Sequence, residues 1–199
     1  MTPEAHADYV VIGSGIAGLR AALALAGTGR TLVLTKAEPT AGNTGYAQGG
    51  IAAAIDPDDS PDAHLADTLA AGDGLCDEAA ARVLTGDGPA RVRELLAWGA
   101  RFDTGADGTL SLAREGAHSV RRVLHARDAT GREIGRLLWE RASGNGGIDV
   151  IAHACVTQIR IDQSGAVEGV QYLDGDGVTR VVRSLAVLVA TGGAGGVYR

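Results

Sequence analysis

With 199 residues, 45% of them apolar, the chain is long enough to bury a substantial core within one ordinary domain. A net charge of -6 argues against nucleic acid or an anionic membrane as partner, because either requires a concentrated basic face. No apolar run approaches the roughly 20 residues that span a bilayer. The opening MTPEAHADYV also lacks the basic and apolar stretches of a secretion signal, so a cytoplasmic location is expected. Cys76 and Cys155 lie far apart with no metal-ligand spacing, and two reduced thiols and no metal site are expected.

The first element is the apolar strand Tyr9-Val10-Val11-Ile12, followed at once by Gly13-Ser14-Gly15-Ile16-Ala17-Gly18 and a helical pattern over residues 19–26. A G-x-G-x-x-G run between a strand and a helix is a dinucleotide fingerprint. Gly13 permits the tight turn, Gly15 lets the backbone approach a pyrophosphate, and Gly18 lets the helix lie close on the strand. The helix N-terminus offers unpaired N–H groups and the positive end of the dipole, so an anion belongs there. Residues 31–34 form a second apolar strand, giving β-α-β and a right-handed crossover into a parallel sheet.

Residues 36–59 are rich in glycine and alanine without clean periodicity, and a loop of that length inside a domain is usually functional. Within it lies a second glycine-rich run, Asn43-Thr44-Gly45-Tyr46-Ala47-Gln48-Gly49-Gly50. Ser60 and Pro61 then read as N-cap and first helical residue of a helix over 62–71, closed by Gly72-Asp73-Gly74. Asp77 caps a further helix, GDGP at 86–89 is expected to interrupt it, and residues 90–98 form a third that ends at Gly99. Residues 101–103 are expected as a short strand. Basic residues cluster over 114–132 and are read as part of a site for a small anion. Asp128 is expected to cap an amphipathic helix whose apolar stripe is Ile134, Leu137, Leu138 and Trp139, ending near Ser143.

From Ile148 the period turns strand-like, with runs at 150–152, 156–161, 166–173 and 178–183. The short turns at 163–165 and 175–177 make an antiparallel meander. A last apolar strand over 185–190 empties into Thr191-Gly192-Gly193-Ala194-Gly195-Gly196. Such a turn normally feeds another element, so the fold is expected to continue past Arg199.

A G-x-G-x-x-G βαβ start, a late meander and a final strand ending Ala190-Thr191-Gly192 together resemble the FAD-binding domain of the glutathione-reductase type. The resemblance implies an α/β fold: a Rossmann-like parallel sheet with an inserted antiparallel β-meander, here incomplete at its C-terminus. Ala47 to Gly50, with IAAA and DDSPDAHLADTLAAGDGLCD after it, resembles the succinate dehydrogenase and fumarate reductase flavoprotein superfamily. Within that superfamily, LAREGAHSVRRVLHARDATGREI over 112–134 is similar to the L-aspartate oxidases. On this resemblance residues 1–199 are the N-terminal part of an FAD-binding domain. The capping domain, the returning segment of the FAD domain and a C-terminal helical domain would be absent, and the chain alone is expected to be inactive.

The resemblance carries FAD with it. Gly13, Ser14, Gly15, Ile16, Ala17 and Gly18 would hold the pyrophosphate, and Asn43 to Gly50 would wrap the flavin. Val156, Ala190, Thr191 and Gly192 would complete the contacts. Where a dinucleotide fold usually has an acidic residue ending the second strand, this chain has Thr35 and Lys36, with Glu38 slightly late. The resemblance favours Lys36 as the contact, and the alternative leaves Glu38 a solvated loop carboxylate. In the respiratory members of the superfamily the residue matching Asn43 is a histidine bonded covalently to flavin. Asparagine has no such nucleophilic nitrogen, so non-covalent FAD is implied.

Glu115 is the second discriminator. A succinate or fumarate site is harmed by a buried carboxylate, whereas L-aspartate carries an ammonium that needs a counter-charge. The resemblance gives Glu115 the part of orienting the substrate amine; on spacing alone it could equally pair with Arg114 or Arg121 on the surface. Ala113 and Ala117 depart from the family's usual threonine and glycine. His118, His125, Arg121 and Arg122 are given no catalytic role, the superfamily's base being an arginine of the later cap.

The implied activity is oxidation of L-aspartate to iminoaspartate with oxygen or fumarate as acceptor, the first step of de novo NAD synthesis, with hand-over of the product to quinolinate synthase. The alternatives are a soluble fumarate reductase or succinate dehydrogenase flavoprotein, and a catalytically silent flavin-binding fragment.

Overall fold

The computed structural model describes residues 5–193 and divides into two compact units, one made of residues up to Gly45 and from Gly135 onward, the other of Tyr46–Ile134. In the first unit the chain starts with β1 (Ala5–His6) and β2 (Tyr9–Ile12), whose last three residues are buried. Helix α1 (Ile16–Leu25) begins inside the glycine fingerprint, three residues earlier than periodicity suggested, because Ile16, Ala17 and Gly18 already have helical geometry. Strand β3 (Thr31–Leu34) is buried at all four positions, as a central parallel strand requires. A single helical turn, α2 (Asn43–Tyr46), leads out of this unit.

The second unit opens with β4 (Ile51–Ala52) and then α3 (Pro61–Ala71), where Ser60 Oγ accepts from Ala63 N at 3.1 Å and proline sits at the first helical position. Asp77 caps α4 (Glu78–Ala97), and here the structure corrects the sequence reading: one 20-residue helix replaces the two expected on either side of GDGP. Pro89 is buried mid-helix in a stripe with Ala81, Thr85 and Val92, spaced so that all four face one side. Helix α3 packs against α4. Burial of the stripe outweighs the backbone bond that proline removes and the poor propensity of Gly86 and Gly88. Residues 101–103 form no strand; beside them Thr104 makes a single antiparallel bridge to Leu110, and Ser111 N donates to Asp103 O at 2.9 Å. Strands β5 (Leu112–Ala113) and β6 (Val123–Leu124) join β4 in a small antiparallel sheet of order β4-β6-β5.

Helix α5 (Thr130–Ser143) buries Ile134, Leu137 and Leu138, while Trp139 is half-buried. Asp128 does not cap it: the helix starts two residues later, and Thr130 Oγ1 accepts from Ala126 N at 3.0 Å. Strand β7 (Ile148–Ile151) pairs parallel with β3, so the first of the four late runs belongs to the parallel sheet and not to the meander. The meander is β8 (Cys155–Ile161), β9 (Val167–Leu173) and β10 (Thr179–Arg183). Its two turns close alike: Asp162 Oδ1 accepts from Ser164 N and Ala166 N, and Asp174 Oδ1 from Asp176 N and Val178 N. Strand β11 (Ala186–Val189) returns beside β2.

Two four-stranded sheets result, a parallel one of order β11-β2-β3-β7 and a second of order β1-β10-β9-β8. A shared core of Val10, Ile12, Leu32, Leu34, Val170, Tyr172 and Val182 lies between them. This is the α/β arrangement expected: a Rossmann-like parallel sheet with an antiparallel β-meander inserted before its last strand.

A proline inside a helix costs about 3 kcal/mol relative to alanine, and the restored N–H of Pro89→Ala can donate back along the helix. Some apolar burial is lost with the ring. Pro89→Ala is expected to raise the unfolding free energy by about 1–3 kcal/mol in urea titrations.

Candidate functional site

In the first unit the fingerprint sits where the two central strands end. Gly13 has φ +111, and a Cβ there would lie 2.2 Å from Ala190 O, so the turn runs directly against the end of β11. A Cβ on Gly18 would lie 1.9 Å from Gly13 O, which is the close helix–strand approach the motif predicts. Gly15 caps α1 without a side-chain hydrogen bond, and Ile16 N donates to Thr44 Oγ1 at a long 3.3 Å. The first-turn amides are thus weakly satisfied, and a Cβ on Gly15 would find only Thr44 Oγ1, 3.5 Å away. Unsatisfied amides, a dipole end and open space at Gly15 suit a pyrophosphate. The structure therefore brings together residues 13–18, Thr44 and Ala190 with Thr191.

Ser14 is held by its neighbours. Its Oγ lies 2.8 Å from Pro39 O and 3.0 Å from Thr35 Oγ1. One hydroxyl proton cannot serve both, so Ser14 donates to the carbonyl and accepts from Thr35. Lys36 is exposed. Glu38 is not a free loop carboxylate: its Oε1 lies 3.0 Å from His153 Nε2. Ala154 N donates to Thr35 O at 2.9 Å and lays the start of β8, with half-buried Val156, beside the Thr35–Lys36 corner. Gly192 is exposed with φ +76, while Ala194, Gly195 and Gly196 lie outside the described residues. Asn43 is exposed at the start of α2, and Gly45 N donates to Gly42 O.

In the second unit Tyr46, Ala47, Gln48, Gly49 and Gly50 are all exposed. Ala47 O accepts from Gly131 N at 3.0 Å, and a Cβ on Gly50 would lie 2.1 Å from Val123 Cγ1 and 2.5 Å from Leu124 O. The glycine is required by contact with β6, while the other side of the run stays open. One residue past β6, His125 Nδ1 lies 2.9 Å from Asp103 Oδ2, so the carboxylate fixes the ring with its proton on Nδ1.

Glu115 is exposed at the start of a hairpin loop, residues 114–121, that connects β5 and β6. Neither arginine named as its surface partner takes that part among the described residues: Arg114 Nε donates instead to His118 O at 3.0 Å. The loop turns through Ala117 at φ +67, a left-handed conformation that glycine adopts more readily, and His118 N donates to Glu115 O.

Arg122, assigned on sequence to a basic anion-binding cluster, is corrected by the structure. It is fully buried and neutralised, its Nε and Nη2 donating to the two oxygens of Asp59 at 2.8 and 2.9 Å and its Nη1 to Asp67. Nη1 also lies 3.2 Å from His118 Nδ1; since a guanidinium only donates, that nitrogen carries a lone pair. Asp59, His64 and Asp67 were missed by sequence reasoning, because a pairing across 55 to 63 residues leaves no local signature.

The charges follow from this burial. Burial alone would raise the Asp59 carboxyl, but its hydrogen bonds and the charge of Arg122 hold it below the ordinary value. The backbone N–H of Ser119 is the main cause of Asp67's depression to about 2, with the Ser119 hydroxyl and Arg122 adding to it against burial. Burial, then the charge of Arg122, push His64 below its usual range, and its Nδ1 has no partner among the described residues.

The match to known sequences is decisive for the family. Residues 8–199 match the model described as FAD binding domain. The chain belongs to this family. FAD is its cofactor, and the open cradle at Gly15 with its weakly satisfied amides fits that group. Over 196 residues the chain is 48% identical to L-aspartate oxidase 2-a, chloroplastic, of Nicotiana tabacum, covering 96% of this chain and 30% of the relative. It is 47% identical to the L-aspartate oxidase of Streptomyces coelicolor over 96% of this chain and 34% of that one. Among solved structures, an E. coli quinol fumarate reductase superposes with TM-score 0.90 at 32% identity, covering 98% of this chain and 34% of that chain. The Mycobacterium smegmatis Sdh1 complex gives 0.87 at 33%, covering 96% and 35%. This chain thus spans about a third of the length of these proteins. No helix among the described residues is long and apolar enough to cross a membrane.

Acid should unfold the second unit in two stages. Unfolded, His64 takes up a proton near 6.5 while the folded state resists it, so stability starts to fall as pH drops below that value. Asp67 contributes stability that is complete above 3.8 and lost as pH falls to about 2, an effect of about 2 kcal/mol. Urea midpoints measured from pH 7 to 2 should show both limbs, and in Asp67→Asn the lower limb should shrink.

Proposed function

We propose that this chain supplies the FAD-binding and amine-recognising part of an L-aspartate oxidase, the N-terminal portion of a protein whose capping and C-terminal domains complete the site. The observation that carries this reading is Glu115, an exposed carboxylate with no ion pair among the described residues, on a loop inside a chain 43–48% identical to L-aspartate oxidases. Fumarate and succinate offer only negative groups to such a carboxylate, and L-aspartate offers an ammonium.

In the proposed reaction L-aspartate loses its α-hydrogen and the electron pair of that bond, and the amine becomes the imine of iminoaspartate. FAD, when bound, supplies the two-electron acceptor, and oxygen or fumarate restores it. This chain's residues hold and orient. The α1 N-terminus and the backbone of residues 13–18 would bind the pyrophosphate, Lys36 would stand at the ribose corner, and the open run 43–50 would line the flavin edge. Glu115 would accept hydrogen bonds from the substrate ammonium and so fix the α-carbon. Iminoaspartate is prone to hydrolysis, which favours prompt hand-over to a consuming condensation such as that of a quinolinate synthase. A cytoplasmic location belongs to the same proposal.

A second reading, a fumarate reductase or succinate dehydrogenase flavoprotein, is favoured by the backbone likeness to the E. coli quinol fumarate reductase. Asn43 and Glu115 weigh against it.

Non-covalent FAD is the first testable consequence, since Asn43 stands where a linking histidine would be needed. Acid precipitation of the flavin-loaded protein should release all yellow colour to the supernatant, and colour retained in the pellet would sink the claim.

Losing the partner of a desolvated ammonium costs about 2–5 kcal/mol. For Glu115→Gln in the complete enzyme this means a roughly thirty-fold to several-thousand-fold loss of kcat/KM for L-aspartate, with a much smaller loss for fumarate. Equal losses for both substrates, or none, would return Glu115 to the solvated surface and leave the fumarate reductase reading ahead.

A further inference from the structure

Glu115 lies on a loop, and a loop carboxylate discriminates well only if something holds it in place. Three features of the second unit do so. Where the loop leaves the sheet, Arg122 N donates to Ala113 O at 3.2 Å and closes residues 114–121 into a hairpin loop. Inside the loop, Arg114 Nε donates to His118 O at 3.0 Å and His118 N to Glu115 O at 3.3 Å, locking the turn that follows Glu115. The third feature comes from a different element: one oxygen of Asp67, in α3, accepts from Ser119 N at 2.7 Å, from Ser119 Oγ at 2.8 Å and from Arg122 Nη1.

We propose that Asp67 is the positioning residue for Glu115: a single carboxylate oxygen on α3 ties the hairpin loop down at Ser119 and through Arg122, so that the glutamate is presented in one orientation. This rests on the reading of Glu115 as the partner of the substrate ammonium. Two properties suit Asp67 to the task. Its side chain is 17% exposed, so water competes little for the oxygen, and Arg122, fully buried, is itself fixed from the other side by both oxygens of Asp59. The anchor is therefore a chain running from Asp59 through Arg122 and Asp67 to Ser119, with the loop at its free end. Amide and guanidinium donors to an ionised carboxylate are the short, strong kind of hydrogen bond, which is what holding a solvent-facing loop requires.

The test uses the complete, FAD-loaded enzyme with three variants: Asp67→Asn, Ser119→Ala and Glu115→Gln. Two readouts are taken, amide hydrogen exchange of the peptide covering residues 114–121, and KM and kcat for L-aspartate and fumarate. Asp67→Asn should speed exchange of that peptide at least ten-fold while peptides covering residues 9–12 and 31–34 stay protected. Its KM for L-aspartate should rise at least ten-fold, kcat should fall by a smaller factor, and KM for fumarate should rise less. Ser119→Ala removes one of the three donors and should move both readouts the same way by a smaller factor, which decides the matter if Asp67→Asn does not fold. Unchanged exchange of the loop, a loosened loop with unchanged KM for L-aspartate, or equal losses for both substrates would overturn the inference. If Glu115→Gln is damaging while Asp67→Asn and Ser119→Ala are silent, this inference alone falls. A silent Glu115→Gln sinks the reading on which it stands.

Discussion

A guanidinium removed from water must be neutralised, and the second unit is arranged to neutralise Arg122. Two carboxylates meet it, one from the residue that precedes the cap of α3 and one from within that helix. Breaking such a buried pair by deleting one partner costs about 3–5 kcal/mol, because the remaining charge is stranded. The segment 114–122, the start of α3 and the residues before it are therefore held in one arrangement although they are far apart in sequence. His64 and His118 pack beside the cluster, rings 5.6 Å apart; Nδ1 of His118 faces Arg122, and His64, buried beside the same charge, favours the neutral imidazole.

The first unit works by the opposite means. Among the described residues its candidate anion site contains no buried cation; the positive potential comes from backbone amides at the α1 N-terminus, brought to the ends of β2 and β11 by glycines that tolerate contact at Ala190 O and Gly13 O. Backbone recognition suits a pyrophosphate, whose charge is invariant, and side-chain recognition suits a substrate, whose charge pattern must be told from that of similar acids.

These two means also explain what could be read from the sequence. The βαβ start, the meander with its Asp-x-x-Gly turns, the Ser60 cap and the final strand are built from local patterns, each strand, turn or cap being legible in the few residues that form it. Where the structure departed, a distant contact had outweighed a local rule. Helix α4 runs through Gly86, Gly88 and Pro89 because it buries a stripe of Ala81, Thr85, Pro89 and Val92. Strand β7 joined the parallel sheet because β3 offered it an edge, which a four-residue run cannot reveal. Strands β4, β5 and β6 have two residues each, too few to show any period. In the candidate site the glycine runs were legible for the same local reason, and Glu115 was singled out only through the motif around it, its role remaining a proposal. The Asp59–Arg122–Asp67 cluster was not, since its members look like ordinary surface charges until the fold brings them together.

Backbone likeness extends to relatives of much lower sequence identity. The backbone follows a quinol fumarate reductase at TM-score 0.90 with 32% identity, whereas the sequence is 48% identical to an L-aspartate oxidase. A fold shared that closely cannot by itself choose between a dicarboxylate and an amino dicarboxylate, so the choice falls to side chains placed on it. On the proposed reading the side chain that makes this choice is Glu115, in a hairpin loop. Changing that residue would leave the sheets intact, while changing the buried Asp59, Asp67 and Arg122 disturbs burial and charge together. On that reading substrate choice is open to change at the start of the hairpin loop, and the packing beneath it resists change.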